Sequence, residues 1–127
     1  MPAPRVFIVD GDLDELDRFG DALTAAGFAP VPWSEATLAA SLIGTLHPDA
    51  VVLDATIARP GDGLSILGAL RADPEMAAIP VVLLHSRSGT VDDLSAIVAM
   101  RADIVLVRPV TAEQLVNGVR IATEPRS

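Results

Sequence analysis

Two carboxylates, an imidazole and a guanidinium each follow directly on a short apolar run. Asp10 follows Val6-Phe-Ile-Val9, Asp54 follows Ala50-Val-Val-Leu53, His85 follows Val81-Val-Leu-Leu84 and Arg108 follows Ile104-Val-Leu-Val107. Brought to one rim, the four would gather charge-capable side chains in one place, and the acids could hold a cation. Each residue also has a plainer account. Asp10 or Asp54 could cap a turn, His85 could be a satisfied loop histidine, and Arg108 could pair with a surface acid. Four such endings among five apolar runs weaken the plainer accounts taken together.

The runs read as strands. Four are continuous rather than alternating, the pattern of strands buried on both faces. The remaining run, Pro30-Val-Pro-Trp33, carries two prolines and therefore belongs at a sheet edge. Between the runs lie helical spacings. Leu13, Leu16, Phe19 and Leu23 mark the first helix, with Gly27 as its stop, and Leu38, Leu42 and Leu46 the second, with Ser34 as N-cap. Leu64, Leu67 and Leu70 mark a third, ended before Pro74, and Val91, Leu94, Val98 and Ala102 a fourth, with Thr90 and Asp93 resembling a capping box. A fifth opens on the capping-box spacing Thr111-Ala-Glu-Gln114 and carries Leu115 and Val119. Strict alternation predicts a (βα)5 α/β domain, a doubly wound parallel sheet with helices on both faces. In such sheets ligands bind beyond the carboxyl ends of the strands, where the four polar residues fall.

Composition narrows the function. The 127 residues suit a single domain, 1–127, with 50% hydrophobic and 20% charged residues. The longest uncharged stretches, such as Ala36 to Pro48, are shorter than the ~20 residues of a membrane span, and no signal-peptide core precedes Asp10. With no cysteine there is no disulfide or thiolate metal site, and a cytoplasmic location is expected. Nine basic residues, all arginine, against 17 acids give a net charge of -8, so the domain is expected not to bind nucleic acid. Six of the acids, Asp10, Asp12, Asp14, Glu15, Asp17 and Asp21, crowd one segment. They suit either the acidic first turn of a helix or a cation site.

Asp10, Pro48-Asp-Ala-Val-Val-Leu-Asp54 with Gly61-Asp-Gly63, Ile79-Pro-Val-Val-Leu-Leu84 and Val107-Arg-Pro-Val110 together resemble a response-regulator receiver domain of the CheY-like family. The resemblance runs from about Arg5 to Ala122. It implies a flavodoxin-like five-stranded sheet of order 2-1-3-4-5, two-component (phosphorelay) signalling, and a phosphoacceptor at Asp54 charged by a histidine kinase or phosphotransfer protein. It also implies a Mg2+ site at Asp10, Asp54 and the Thr56 main-chain carbonyl. A downstream partner would dock on the face of helix four, strand five and helix five, and a second copy of the chain is a further candidate partner. Ile97 and Met100 could add apolar contact to that face.

Several positions depart from the family pattern. Gly11 stands where the second acid is found, so Mg2+ binding is expected to be weak and Gly11→Asp to strengthen it. Arg108 replaces a lysine and could clamp Asp54 through two nitrogens. His85, followed by Ser86, replaces a small hydroxyl residue, and Val105 replaces the aromatic of strand five. The loop from Ala55 to Asp62 is one residue longer than usual. Two functional readings follow, a phosphorylatable receiver with an impaired Mg2+ site and a pseudo-receiver acting as an interaction module, locked by an Asp54–Arg108 pair. Asp10-Gly-Asp12 also resembles the nucleophile motif of haloacid-dehalogenase-type phosphatases, using Asp10 and Asp12, but that family needs a lysine and this chain has none. An enzyme is therefore not expected. The acidic loop after strand one would repel a flavin phosphate.

Overall fold

The computed structural model describes residues 2–57, 62–85 and 101–124. Five strands form one parallel sheet in the order β2-β1-β3-β4-β5: β1 (Arg5–Val9), β2 (Ala29–Trp33), β3 (Ala50–Asp54), β4 (Val81–His85) and β5 (Ile104–Val107). The described helices are α1 (Leu13–Ala25), α2 (Ala39–Leu46), α3 (Asp62–Ala72) and α4 (Ala112–Thr123). The last of these is the fifth helical pattern of the sequence. The fourth pattern, Val91 to Ala102 with Thr90 and Asp93, lies outside the described residues up to position 100, Ile97 and Met100 included; Ala102 is described and is partly buried, outside any helix.

Alternation of side chains along the strands builds two cores. Phe7, Val9, Val51, Leu53, Val81 and Leu83 face α2 and α3, meeting Ile43, Leu67 and Leu70. Val6, Ile8, Val52, Val82 and Leu84 face α1 and α4, meeting Phe19, Leu23, Leu115 and Val119. The continuous apolar runs of β1, β3 and β4 follow from this, because both faces of those strands are covered. β2, with its two prolines, bonds only to β1 at the edge.

Two expectations need correction. β5 is not buried on both faces: it pairs only with β4, Ile104 and Leu106 pack toward α1 and α4, and Val105 and Val107 stay exposed. Its continuous apolar run therefore belongs to a second edge strand. Ser34 does not cap α2, which begins at Ala39 behind Leu38. The Trp33 indole donates to the Thr37 carbonyl at 3.0 Å and folds the intervening residues into a turn, leaving Leu38 exposed. The buried stripe of α2 is Ala39 and Ile43. The capping box on α4 forms as read, with Thr111 accepting from the Gln114 amide and the Gln114 side chain accepting from the Thr111 amide.

Candidate functional site

Asp10, just beyond β1, Asp54 and His85, the last residues of β3 and β4, and Arg108, just beyond β5, all stand at the carboxyl ends of neighbouring strands. Asp10, Asp54 and His85 are buried. A Cβ at position 63 would overlap the Asp54 carbonyl oxygen, so only glycine lets the first turn of α3 close against the end of β3. The Gly63 amide donates to the Ala55 carbonyl at 3.2 Å and fixes that approach. Gly63 stood in a recognised motif, but its packing role depends on a neighbour distant in sequence.

Asp54 is held through one oxygen. Its Oδ1 accepts from the Thr56 amide at 2.9 Å, from the Thr56 hydroxyl at 3.2 Å and from Arg108 Nη1 at 3.4 Å. Among the described residues, the bonds to this carboxylate end on Oδ1. The Asp54–Arg108 pair is thus present, but as a single contact and not as the two-nitrogen clamp.

The guanidinium edge that could have clamped Asp54 is turned to Glu15. Arg108 Nη2 and Nε donate to Glu15 Oε1 at 2.6 and 3.2 Å, and Nη2 lies 3.6 Å from Asp10 Oδ2. Glu15 is the site residue that sequence reading passed over. It looked like one more acid favoured in the first turn of α1, and only its burial beside Arg108 sets it apart. Asp12, the other acid of the phosphatase-like motif, is the N-cap of α1 and accepts from the Glu15 amide at 3.1 Å. The Asp12 amide in turn donates to Asp10 Oδ1 at 3.0 Å.

Burial raises the Asp10 pKa to about 8, helped by the hydrogen bond and negative charge of Glu15. Its Oδ2 is buried with no hydrogen-bond partner among the described residues; once protonated it becomes the donor, toward Glu15. Burial alone would raise Glu15 too, but the bonds from Asp10 and Arg108 outweigh it and hold Glu15 below the usual carboxylate value. For Arg108, burial works against the charge, and the Glu15 bond with the surrounding carboxylates more than restores it.

A divalent cation fits this arrangement poorly. Gly11 brings no carboxylate, and a Cβ there would stand 2.9 Å from the Ile57 carbonyl oxygen. Arg108 already touches Asp10, Glu15 and Asp54. No cluster of three or more His, Asp or Glu among the described residues is disposed to hold a metal. The Thr56 groups recorded at the site are its amide and hydroxyl, both directed to Asp54. His85 Nδ1 is buried without a hydrogen-bond partner among the described residues, and Ser86 lies outside them.

Comparison with known proteins gives the same reading of the fold from three directions. A family model described as the response regulator receiver domain matches residues 6–120. The chain is 36% identical over 120 residues to the transcriptional regulatory protein PrrA of Mycobacterium tuberculosis, covering 94% of this chain and 50% of that protein. It is 30% identical over 117 residues to the DNA-binding response regulator MtrA of the same organism, covering 91% and 49%. It therefore spans about half the length of these curated relatives. Among solved structures, the chemotaxis response regulator CheY4 of Vibrio cholerae superposes with a TM-score of 0.83 at 18% identity, over 94% of this chain and 98% of that one. The signal receiver domain of a histidine kinase from Syntrophus aciditrophicus superposes at 0.85 and 19%, over 95% and 90%.

Proposed function

This chain belongs to the response-regulator receiver family of two-component signalling, and we propose that Asp54 is its phosphoacceptor. The observation that carries the reading is the asymmetric hold on Asp54. Oδ1 is tied down by Thr56 and Arg108, while Oδ2, at the carboxyl rim of the sheet, meets no donor among the described residues and is the oxygen that attacks. Oδ2 forms an O–P bond as the P–N bond of a phosphohistidine donor breaks, and the electron pair returns to the imidazole nitrogen. Arg108 Nη1, 3.4 Å from Oδ1, is placed to donate to the incoming phosphoryl oxygens. Asp10, Asp54 and the Thr56 carbonyl are the family-type Mg2+ positions. With glycine at position 11 and Arg108 among the carboxylates, Mg2+ contributes little.

The donor is a histidine kinase or phosphotransfer protein, and the domain is a signalling module that accepts a phosphoryl group. The reader of the signal is a protein docking on the face that includes β5 and α4, or a second copy of the chain. No helix among the described residues is long and apolar enough to cross a membrane, which suits a cytoplasmic place in such a pathway.

A second reading has its own observation. Arg108 sits 2.6 Å from Glu15, a contact that would hold the site in one form and suit a phosphorylation-independent interaction module. Intact-mass measurement after incubation with a small-molecule phosphodonor decides between the two. One phosphate adduct per chain, absent from Asp54→Asn, is expected. An unmodified chain after prolonged incubation would favour the interaction module.

A further inference from the structure

Arg108 occupies an unusual place for the cation of a phosphoacceptor site. Its one guanidinium lies within 3.6 Å of Asp10, 2.6 Å of Glu15 and 3.4 Å of Asp54, three carboxylates from two strand ends and one helix. Its side chain is only 24% exposed. A divalent ion bound at this rim would need the same oxygens and the same space. Position 11 cannot add a ligand without displacing the Ile57 carbonyl.

The division of labour within the guanidinium matters as much as its position. Nε and Nη2 are committed to Glu15, so the planar fork meets Asp54 with one nitrogen. A fork free of Glu15 could turn its two-nitrogen edge onto Asp54 and occupy both carboxylate oxygens. Glu15 therefore keeps a positive charge beside the acceptor while leaving Oδ2 open. An arginine suits this task because it stays charged and its fork has fixed directions.

We propose, building on the reading of Asp54 as acceptor, that Glu15 is a positioning residue clamping Arg108 as the resident cation of the site. Phosphoryl transfer to Asp54 then proceeds without a divalent metal. The O–P bond forms and the donor bond breaks as described above, with Arg108 Nη1 supplying the positive charge next to the phosphoryl oxygens.

Two measurements on the whole chain test this. In the first, phosphodonor labelling of the unmodified protein is followed by intact mass, with chelator and with millimolar Mg2+. Rates equal within about twofold are expected, whereas a Mg2+ stimulation of about tenfold, ~1.4 kcal/mol, overturns the proposal. In the second, Mg2+ alone is titrated and followed by NMR, with no phosphodonor present. Arg108→Ala should bind Mg2+ at least about tenfold more tightly than the unmodified chain, because the Glu15 and Asp54 carboxylates lose their counter-charge. Glu15→Gln alone, with chelator present, should slow labelling of Asp54 about tenfold, because the freed fork turns onto both Asp54 oxygens; a merely structural Glu15 would leave that rate untouched. Should Arg108→Ala not fold, Arg108→Met keeps the side-chain volume and serves in its place. No gain in Mg2+ affinity on removing Arg108 refutes the resident-cation role. Absence of any adduct with or without Mg2+ overturns the acceptor reading and the transfer claim with it, while the Mg2+ titrations still decide what Arg108 does.

Discussion

A carboxyl group that the fold buries completely resists ionising, and burial pushes the Asp10 pKa up to about 8 even with Arg108 3.6 Å away. Its pKa stands near 8 in the fold against an ordinary 3.8, so between those values the folded chain holds a proton that the unfolded chain releases. Asp10's contribution to stability is therefore full in acid and falls as pH rises toward 8. Glu15, lowered by the Asp10 and Arg108 bonds, acts oppositely, and its contribution is lost only as pH drops below the usual carboxylate range. Asp10→Asn should flatten the decline in melting temperature between pH ~5 and ~8, and near pH 8 it should be more stable than the unmodified chain by about 1–3 kcal/mol. Thermal denaturation of both proteins across that range checks it; parallel curves would refute it. Gly11→Asp takes a different course from the one its sequence position suggests. The new Cβ meets the Ile57 carbonyl at 2.9 Å, so denaturant titration should show a loss of about 1–3 kcal/mol, with no rise in Mg2+ affinity while Arg108 remains.

At the scale of elements, the amino end of the sheet has a fastening of its own. Arg71, at the end of α3, donates to the carbonyls of Ala77 at 3.0 Å, Ile79 at 2.9 Å and Arg101 at 3.1 Å, and to Asp103 Oδ2 at 3.0 Å. The same Asp103 oxygen accepts from the Val81 amide at 2.8 Å. One side chain thus ties α3 to the entry of β4 and to the residues that lead into β5. Arg71→Met should keep most of the stem packing and still destabilise the chain by about 1–2 kcal/mol, because part-buried acceptors lose a charged donor. Urea unfolding reads this directly, and a loss below about 0.5 kcal/mol would show the bonds to be incidental.

For the molecule as a whole, charge decides what the domain avoids. At a net charge of -8 it should not retard duplex DNA in an electrophoretic assay at physiological ionic strength. The mycobacterial relatives PrrA and MtrA are described as a transcriptional regulator and a DNA-binding response regulator, and this chain covers about half of each. A specific shift by this chain alone would contradict the expectation.

Local pattern along the chain was enough for the strand-helix alternation, one edge strand and the address of the site, while the full strand order came from the family resemblance. Apolar runs buried on both faces have a local signature, two prolines can sit only on an edge, and polar residues closing successive runs must share one rim of a parallel sheet. It also supplied Asp10, Asp54 and Arg108 as neighbours. Tertiary structure alone decided who touches whom at that rim. Glu15 looked like a helix-favouring surface acid until α1 packed against β5's outgoing chain and turned it onto Arg108. Ser34 looked like a cap until an indole claimed the turn after it, and the continuous apolar run of β5 read as buried on both faces, whereas Val105 and Val107 are exposed. In each case the deciding partner lies in another element or in the three-dimensional order of elements. Periodicity along a chain records which face is apolar, and carries no information about the distance to a charge 93 residues away.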